Sequence, residues 1–91
     1  MDDPLEIRRK RLLFRSRHRG TREADLLIGS FAERHLPHFS AAQLDRFEAL
    51  LEVNNDVALL DWITGRAAPP RECDHDVLQL LKNFKYATRS P

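Results

Sequence analysis

Ala24, Leu27, Ile28, Phe31 and Ala32 recur at the i, i+3, i+4, i+7, i+8 spacing. On a helix that spacing gathers them into one apolar stripe; on a strand it scatters them over both faces. A single amphipathic helix of this length is marginal in water, so other segments must cover the stripe. The chain has 91 residues to do so, enough for one core and one domain.

The flanking segments carry helix signals of the same kind. Asp3 suits an N-cap, Pro4 suits the first helical position, and Glu6 completes an arrangement resembling a capping box. The first helix is expected from Pro4 to Gly20, with Leu5, Leu12 and Leu13 on one side and Ile7 and Phe14 widening the stripe. The second is expected from about Thr21 to His35, where Leu36-Pro37 stops it. Ser40-Ala41-Ala42-Gln43 is a capping box that opens a third helix, whose core face holds Leu44, Phe47, Leu50 and Leu51. Asn54-Asn55 breaks it and caps a short fourth helix carrying Val57, Leu60, Trp62 and Ile63, which Gly65 closes. After the stiff link Ala67-Ala68-Pro69-Pro70, Asp74 is expected to cap a fifth helix with Val77, Leu80, Leu81 and Phe84 inward. The tail beyond Tyr86 is expected to fray. Only three Gly and five Pro occur, and β-branched residues are scarce. The fold class is all-α: a small antiparallel five-helix bundle, one domain over residues 1–91.

Several function classes find little support. Cys73 is the sole cysteine, which excludes an internal disulfide and fits a reducing compartment. It precedes His75 by two residues, a spacing that turns two helical side chains apart, so no nucleophile–base pair is expected and the chain is read as no enzyme. His35-Leu36-Pro37-His38 and Cys73-Asp74-His75 do not match structural zinc spacing. No apolar run is long enough to span a membrane. Asp2, Asp3 and Glu6 speak against a secretory or mitochondrial leader, and a cytoplasmic location is expected.

The net charge of +1 conceals an asymmetry. Residues 1–22 hold eight bases against three acids, and the remainder seven bases against eleven acids. A basic end of this kind is expected to seek an acidic partner. Phosphate neutralisation by the first helix is one alternative, although no recognition-helix motif or stacking platform accompanies it.

The charge is densest at Arg15-Ser16-Arg17-His18-Arg19-Gly20-Thr21-Arg22-Glu23, a tight corner between two helices. Gly20 permits a left-handed backbone and close approach by a partner. Glu23 lies in the first turn of the second helix, where its charge suits the positive end of the helix dipole. A C-cap glycine followed by a dipole-matched acid explains the same residues without any partner.

From Leu12 to Leu27 the chain resembles the Arg-Gly-x-x-Glu signature of the SdhE proteins, bacterial relatives of the mitochondrial succinate dehydrogenase assembly factor known as flavinators. The resemblance continues through Gly29-Ser30-Phe31-Ala32, Phe47-Glu48-Ala49-Leu50-Leu51-Glu52 and Asp61-Trp62-Ile63-Thr64-Gly65, covering about residues 8–66 with a weaker match in the last helix. Asn54-Asn55-Asp56-Val57 and Leu60 depart from the family pattern, which often has a proline or aspartate run there and a tyrosine before the tryptophan. The resemblance implies a five-helix chaperone of the bacterial cytoplasm. It would bind the flavoprotein subunit of succinate dehydrogenase, or of fumarate reductase, and promote covalent attachment of FAD. The flavin then belongs to the client, and this chain holds no stable cofactor. Carried onto this sequence, Arg19, Gly20 and Glu23 form the partner contact, with Arg15, Arg17 and Asp25 close by. A nucleic-acid-binding or antitoxin-like regulatory protein is the other reading.

Overall fold

A side-chain acceptor waits for an unpaired backbone amide at the start of every helix. In the computed structural model, which describes residues 3–53 and 55–84, Asp3 accepts from the Leu5 amide at 3.0 Å and opens α1, Pro4–Ser16. Thr21 accepts from Ala24 at 3.3 Å and opens α2, Arg22–His35. Ser40 and Gln43 form the reciprocal capping box of α3, Ala41–Leu51. Asn55 caps α4, Asp56–Thr64, at Ala58, and His75 Nδ1 caps α5, Asp76–Asn83, at Leu78. Each such cap contributes about 0.5–2 kcal/mol. Single 3-10 turns at Leu36–His38 and Arg71–Cys73 complete the described residues, among which there is no strand.

The five helices enclose one core. α2 supplies Ala24, Ile28, Phe31 and Ala32, and α3 supplies Leu44, Phe47, Leu50 and Leu51, all as their spacing predicts. Phe31 is the hub, with ring centroids 5.8 Å from Phe47, 6.0 Å from Phe39 and 5.6 Å from Phe84. α5 seals one side with Val77, Leu78 and Leu81. α1 packs on α2 and α3 but places only Leu12 and Ser16 wholly inside among the described residues. Its hold is reinforced by Arg9, whose guanidinium donates to the carbonyls of Leu36 and Phe39, both at 3.0 Å, at the turn that follows α2.

The structure corrects four expectations. α1 ends at Ser16, four residues before Gly20, because Ser16 is buried and bonds back to the Leu12 carbonyl at 2.7 Å while the next amides tighten onto Phe14 and Arg15. Ile7 and Phe14 are exposed, not part of the core. In α4 it is Leu59 that enters the core; Val57 points outward. The cap of α5 is His75, and Asp74 instead accepts from Gln79. Gly65 does close α4, with φ +84°. Asn54 and the tail beyond Tyr86 lie outside the described residues.

The charge asymmetry also resolves within the molecule. Arg8 pairs with Asp45 and Glu48 of α3 at 2.6 and 2.7 Å, and Arg15 pairs with Glu52 at 3.0 Å. Arg17 pairs with Glu33 of α2 at 2.9 Å. The acids that the basic segment meets are therefore largely its own. Exposed pairs of this kind stabilise by only about 0–1 kcal/mol each, so they register the helices more than they hold them.

Candidate functional site

The segment from Arg15 to Asp25 forms the corner between α1 and α2, and it is pinned from both ends. Thr21 caps α2 and also donates its hydroxyl to Asp56 Oδ2 at 3.2 Å. Asp25 accepts the Arg19 amide, an intramolecular task for a residue expected beside the partner contact. Gly20 lies between these anchors at φ +117°, exposed, and beyond its two chain neighbours no heavy atom of the described residues lies within 4 Å of where a Cβ would stand. That φ is strained for any L side chain, and the open space lets another backbone approach.

Arg19 is turned inward. Its side chain is 8 % exposed, and that of its partner Asp56 is 13 % exposed. Nε and one terminal nitrogen donate to Asp56 Oδ1 at 3.1 and 2.9 Å. The same nitrogen reaches the Val53 carbonyl at 2.6 Å, and the other donates to the Leu51 carbonyl. The fork of the guanidinium thus satisfies two carbonyls at the end of α3 and a carboxylate at the start of α4 together. Arg19 is a clamp that fixes the corner on the α3–α4 connection.

The other candidate residues divide. Arg15 is half-buried and Arg17 exposed, each in the ion pairs given above. The stem of Arg17 crosses Gly29, where a Cβ would lie 3.0 Å from its Cγ, so the glycine lets the corner settle on α2. Glu23 is exposed, and among the described residues no cation lies within ion-pair reach of it. Of the six residues singled out, Gly20 and Glu23 are the two whose surfaces the fold leaves uncommitted.

Sequence patterns did not single out Asp56 or the outward faces of Phe14, His18 and Val57. Phe14 stacks on His18 with centroids 4.0 Å apart, and both line a groove of about 580 Å³ with Val57 and Leu51. The i, i+4 spacing of Phe14 and His18 was the available signal for their stacking.

A family model described as flavinator of succinate dehydrogenase matches residues 10–85. The chain belongs to that flavinator family. It is 43 % identical over 82 residues to succinate dehydrogenase assembly factor 2-A, mitochondrial, of Drosophila yakuba, covering 89 % of this chain and 51 % of that protein. It is 42 % identical over 82 residues to factor 2-B, mitochondrial, of Drosophila willistoni, covering 89 % and 53 %. The chain thus spans about half the length of the curated relatives it matches. The match takes in both the block from about 8 to 66 and the last helix, where the resemblance is weaker.

The family corrects the expected location. These relatives are mitochondrial by name and come from flies, which overturns the bacterial cytoplasmic expectation. Asp2, Asp3 and Glu6 carry no information about a leader in a chain that spans half of its relatives.

Cys73 is buried, and burial foremost, then Glu72, pushes its thiol above the ordinary cysteine value, away from the reactive thiolate. His75 spends Nδ1 on its cap. Among the described residues no three His, Cys, Asp or Glu side chains gather as a metal site would, and no helix is long and apolar enough to cross a membrane.

Proposed function

We propose that this chain binds the flavoprotein subunit of succinate dehydrogenase and promotes covalent attachment of FAD to it. Family membership supports the client, and one structural observation supports the site. The corner is clamped by Arg19 while its left-handed Gly20 and unpaired Glu23 face outward. A rigid corner loses little conformational entropy on docking, so contacts made there are retained as affinity.

The acceptor side chain, the flavin and the bond-forming chemistry belong to the client, and this chain is not an enzyme. No stable cofactor is assigned to it. Its part is conformational: it docks on the client state in which flavin and acceptor are close and aligned, and thereby raises the population of that state. Gly20 admits client backbone, and Glu23 accepts hydrogen bonds or pairs with a client cation. Arg19 acts from behind as a positioning residue; Arg15, Arg17 and Asp25 steady the corner beside it.

The nucleic-acid reading weakens with Arg8, Arg15, Arg17 and Arg19 held by acids of the same chain and Arg9 by backbone carbonyls. Counterion release needs cations that are free to meet phosphates.

The test is reconstitution. The flavoprotein subunit, purified without covalent flavin, is incubated with FAD with and without this chain, denatured, and read for protein-bound flavin fluorescence. Faster or more complete labelling with the chain is expected. Equal labelling in both arms removes the proposal.

A further inference from the structure

Beside the corner lies apolar surface that neither the core nor the Arg19 clamp uses. Val57 is 71 % exposed at the start of α4, and Phe14 is 64 % exposed at the end of α1. Val57 is a ridge between two grooves. The first, of about 580 Å³, has Phe14, His18 and Leu51 on its far side; the second, of about 310 Å³, has Leu27 and Leu60 as its floor.

The grooves differ in charge. In the first, Arg15, Arg19 and Asp56 are all neutralised within the chain. In the second, among the described residues, no cation lies within ion-pair reach of Glu23, and Asp61 meets only Arg66 at 4.0 Å, whose side chain is 81 % exposed. An apolar floor whose rim carries two carboxylates, Glu23 and Asp61, against one cation, Arg66, complements an apolar side chain adjoining a cation.

We infer that Val57 is an apolar anchor for the client, and that the groove between α2 and α4 seats a client segment pairing an apolar residue with Lys or Arg. This rests on the function proposed above and specifies its partner chemistry. The contact surface then extends from Gly20 and Glu23 across Val57. Its electrostatics are the reverse of what the basic N-terminal sequence suggests, because five of those bases, Arg8, Arg9, Arg15, Arg17 and Arg19, are already matched internally.

The experiment measures affinity for the purified flavoprotein subunit, using the native chain and Val57→Ala, Val57→Glu and Val57→Lys, with thermal melting as the folding control. An exposed position leaves the melting temperature nearly unchanged. Loss of the anchor weakens Val57→Ala several-fold. Val57→Lys weakens at least about tenfold, since it also sets a cation against the incoming cation. Val57→Glu loses less than Val57→Lys. Native-like binding by Val57→Lys overturns the anchor, and a greater loss in Val57→Glu overturns the cationic partner. A native chain that dimerises, and is made monomeric by Val57→Lys, assigns the ridge to a second copy and also overturns it. A native chain that binds no flavoprotein removes the function and this inference together; native binding with an unaffected Val57→Lys removes this inference alone.

Discussion

Arg19→Ala is expected to be among the most damaging single changes outside the aromatic core. It strips the carboxylate of Asp56, itself only 13 % exposed, of its cation. It also leaves the carbonyls of Leu51 and Val53 without the donors that the guanidinium supplies. Removing one member of a buried pair costs about 3–5 kcal/mol. The lower end applies here, because Asp56 keeps the Thr21 hydroxyl at 3.2 Å and some contact with water. A loss of about 3 kcal/mol in a domain of this size lowers the melting temperature by roughly 12–24 °C. Arg19→Lys keeps the charge but not the planar fork, and about 1–2 kcal/mol is expected from the hydrogen bonds that one ammonium cannot reach. The assay is urea and thermal unfolding followed by circular dichroism on Arg19→Ala, Asp56→Ala and the double variant. The cycle is expected to return a coupling above about 1 kcal/mol, beyond the range of exposed pairs. An Arg19→Ala protein melting within about 2 °C of the native chain refutes the clamp, being under 1 kcal/mol by the same conversion.

Two further outcomes concern stability. Burial foremost holds His75 below the ordinary histidine value near 6.5, and its Nε2 has no hydrogen-bond partner among the described residues. His35 is lowered in the same sense, first by burial and then by Arg34 and His38. A lowered histidine binds its proton less readily in the folded state, so stability is full above the unfolded value and falls as the pH drops below about 6.5. Protonation also removes the Nδ1 lone pair that caps α5. Melting between pH 7.5 and 5.5, in roughly the range where histidine titrates, should show this decline, and His75→Asn, which retains a cap, should flatten part of it; an unchanged slope contradicts the assignment. At Gly29, alanine gains about 0.5–1 kcal/mol of helix propensity but meets the Arg17 stem at 3.0 Å, so a near-neutral change is expected. Gly29→Leu should destabilise by about 1–3 kcal/mol by prying α1 from α2, and equal unfolding midpoints for both variants contradict that contact.

Much of this architecture was legible in the residues, and the misses have physical causes. α2 and α3 combine clear caps with a single apolar stripe, so local pattern and tertiary packing agree. α4 is nine residues long and apolar nearly all round, so its periodicity does not distinguish Leu59 from Val57 as the buried member. The true end of α1 depends on Ser16 being buried against the rest of the fold, which a polar residue does not announce. His75 was passed over as a cap in favour of Asp74 because histidine rarely takes that role. At the site, Gly20 was recognisable from its own chemistry. Arg19 was not, because its partners Leu51, Val53 and Asp56 lie 32, 34 and 37 residues away. A run of arginines at a turn reads locally as a solvated, sticky surface. In the fold, Arg15, Arg17 and Arg19 are spent on the chain itself, and the corner turns a glycine backbone and the Glu23 carboxylate outward.

The most direct measurement is covalent flavin on the succinate dehydrogenase flavoprotein subunit with Glu23→Ala, Gly20→Ala and Gly20→Arg in place of the native chain, each first shown to be folded. Gly20→Ala controls for the backbone, since any side chain at φ +117° carries strain of about 1–3 kcal/mol. Glu23→Ala and Gly20→Arg should abolish the stimulated labelling, with Gly20→Ala retaining more of it than Gly20→Arg. Labelling as fast with Glu23→Ala and Gly20→Arg as with the native chain would show that the corner is not where the client docks.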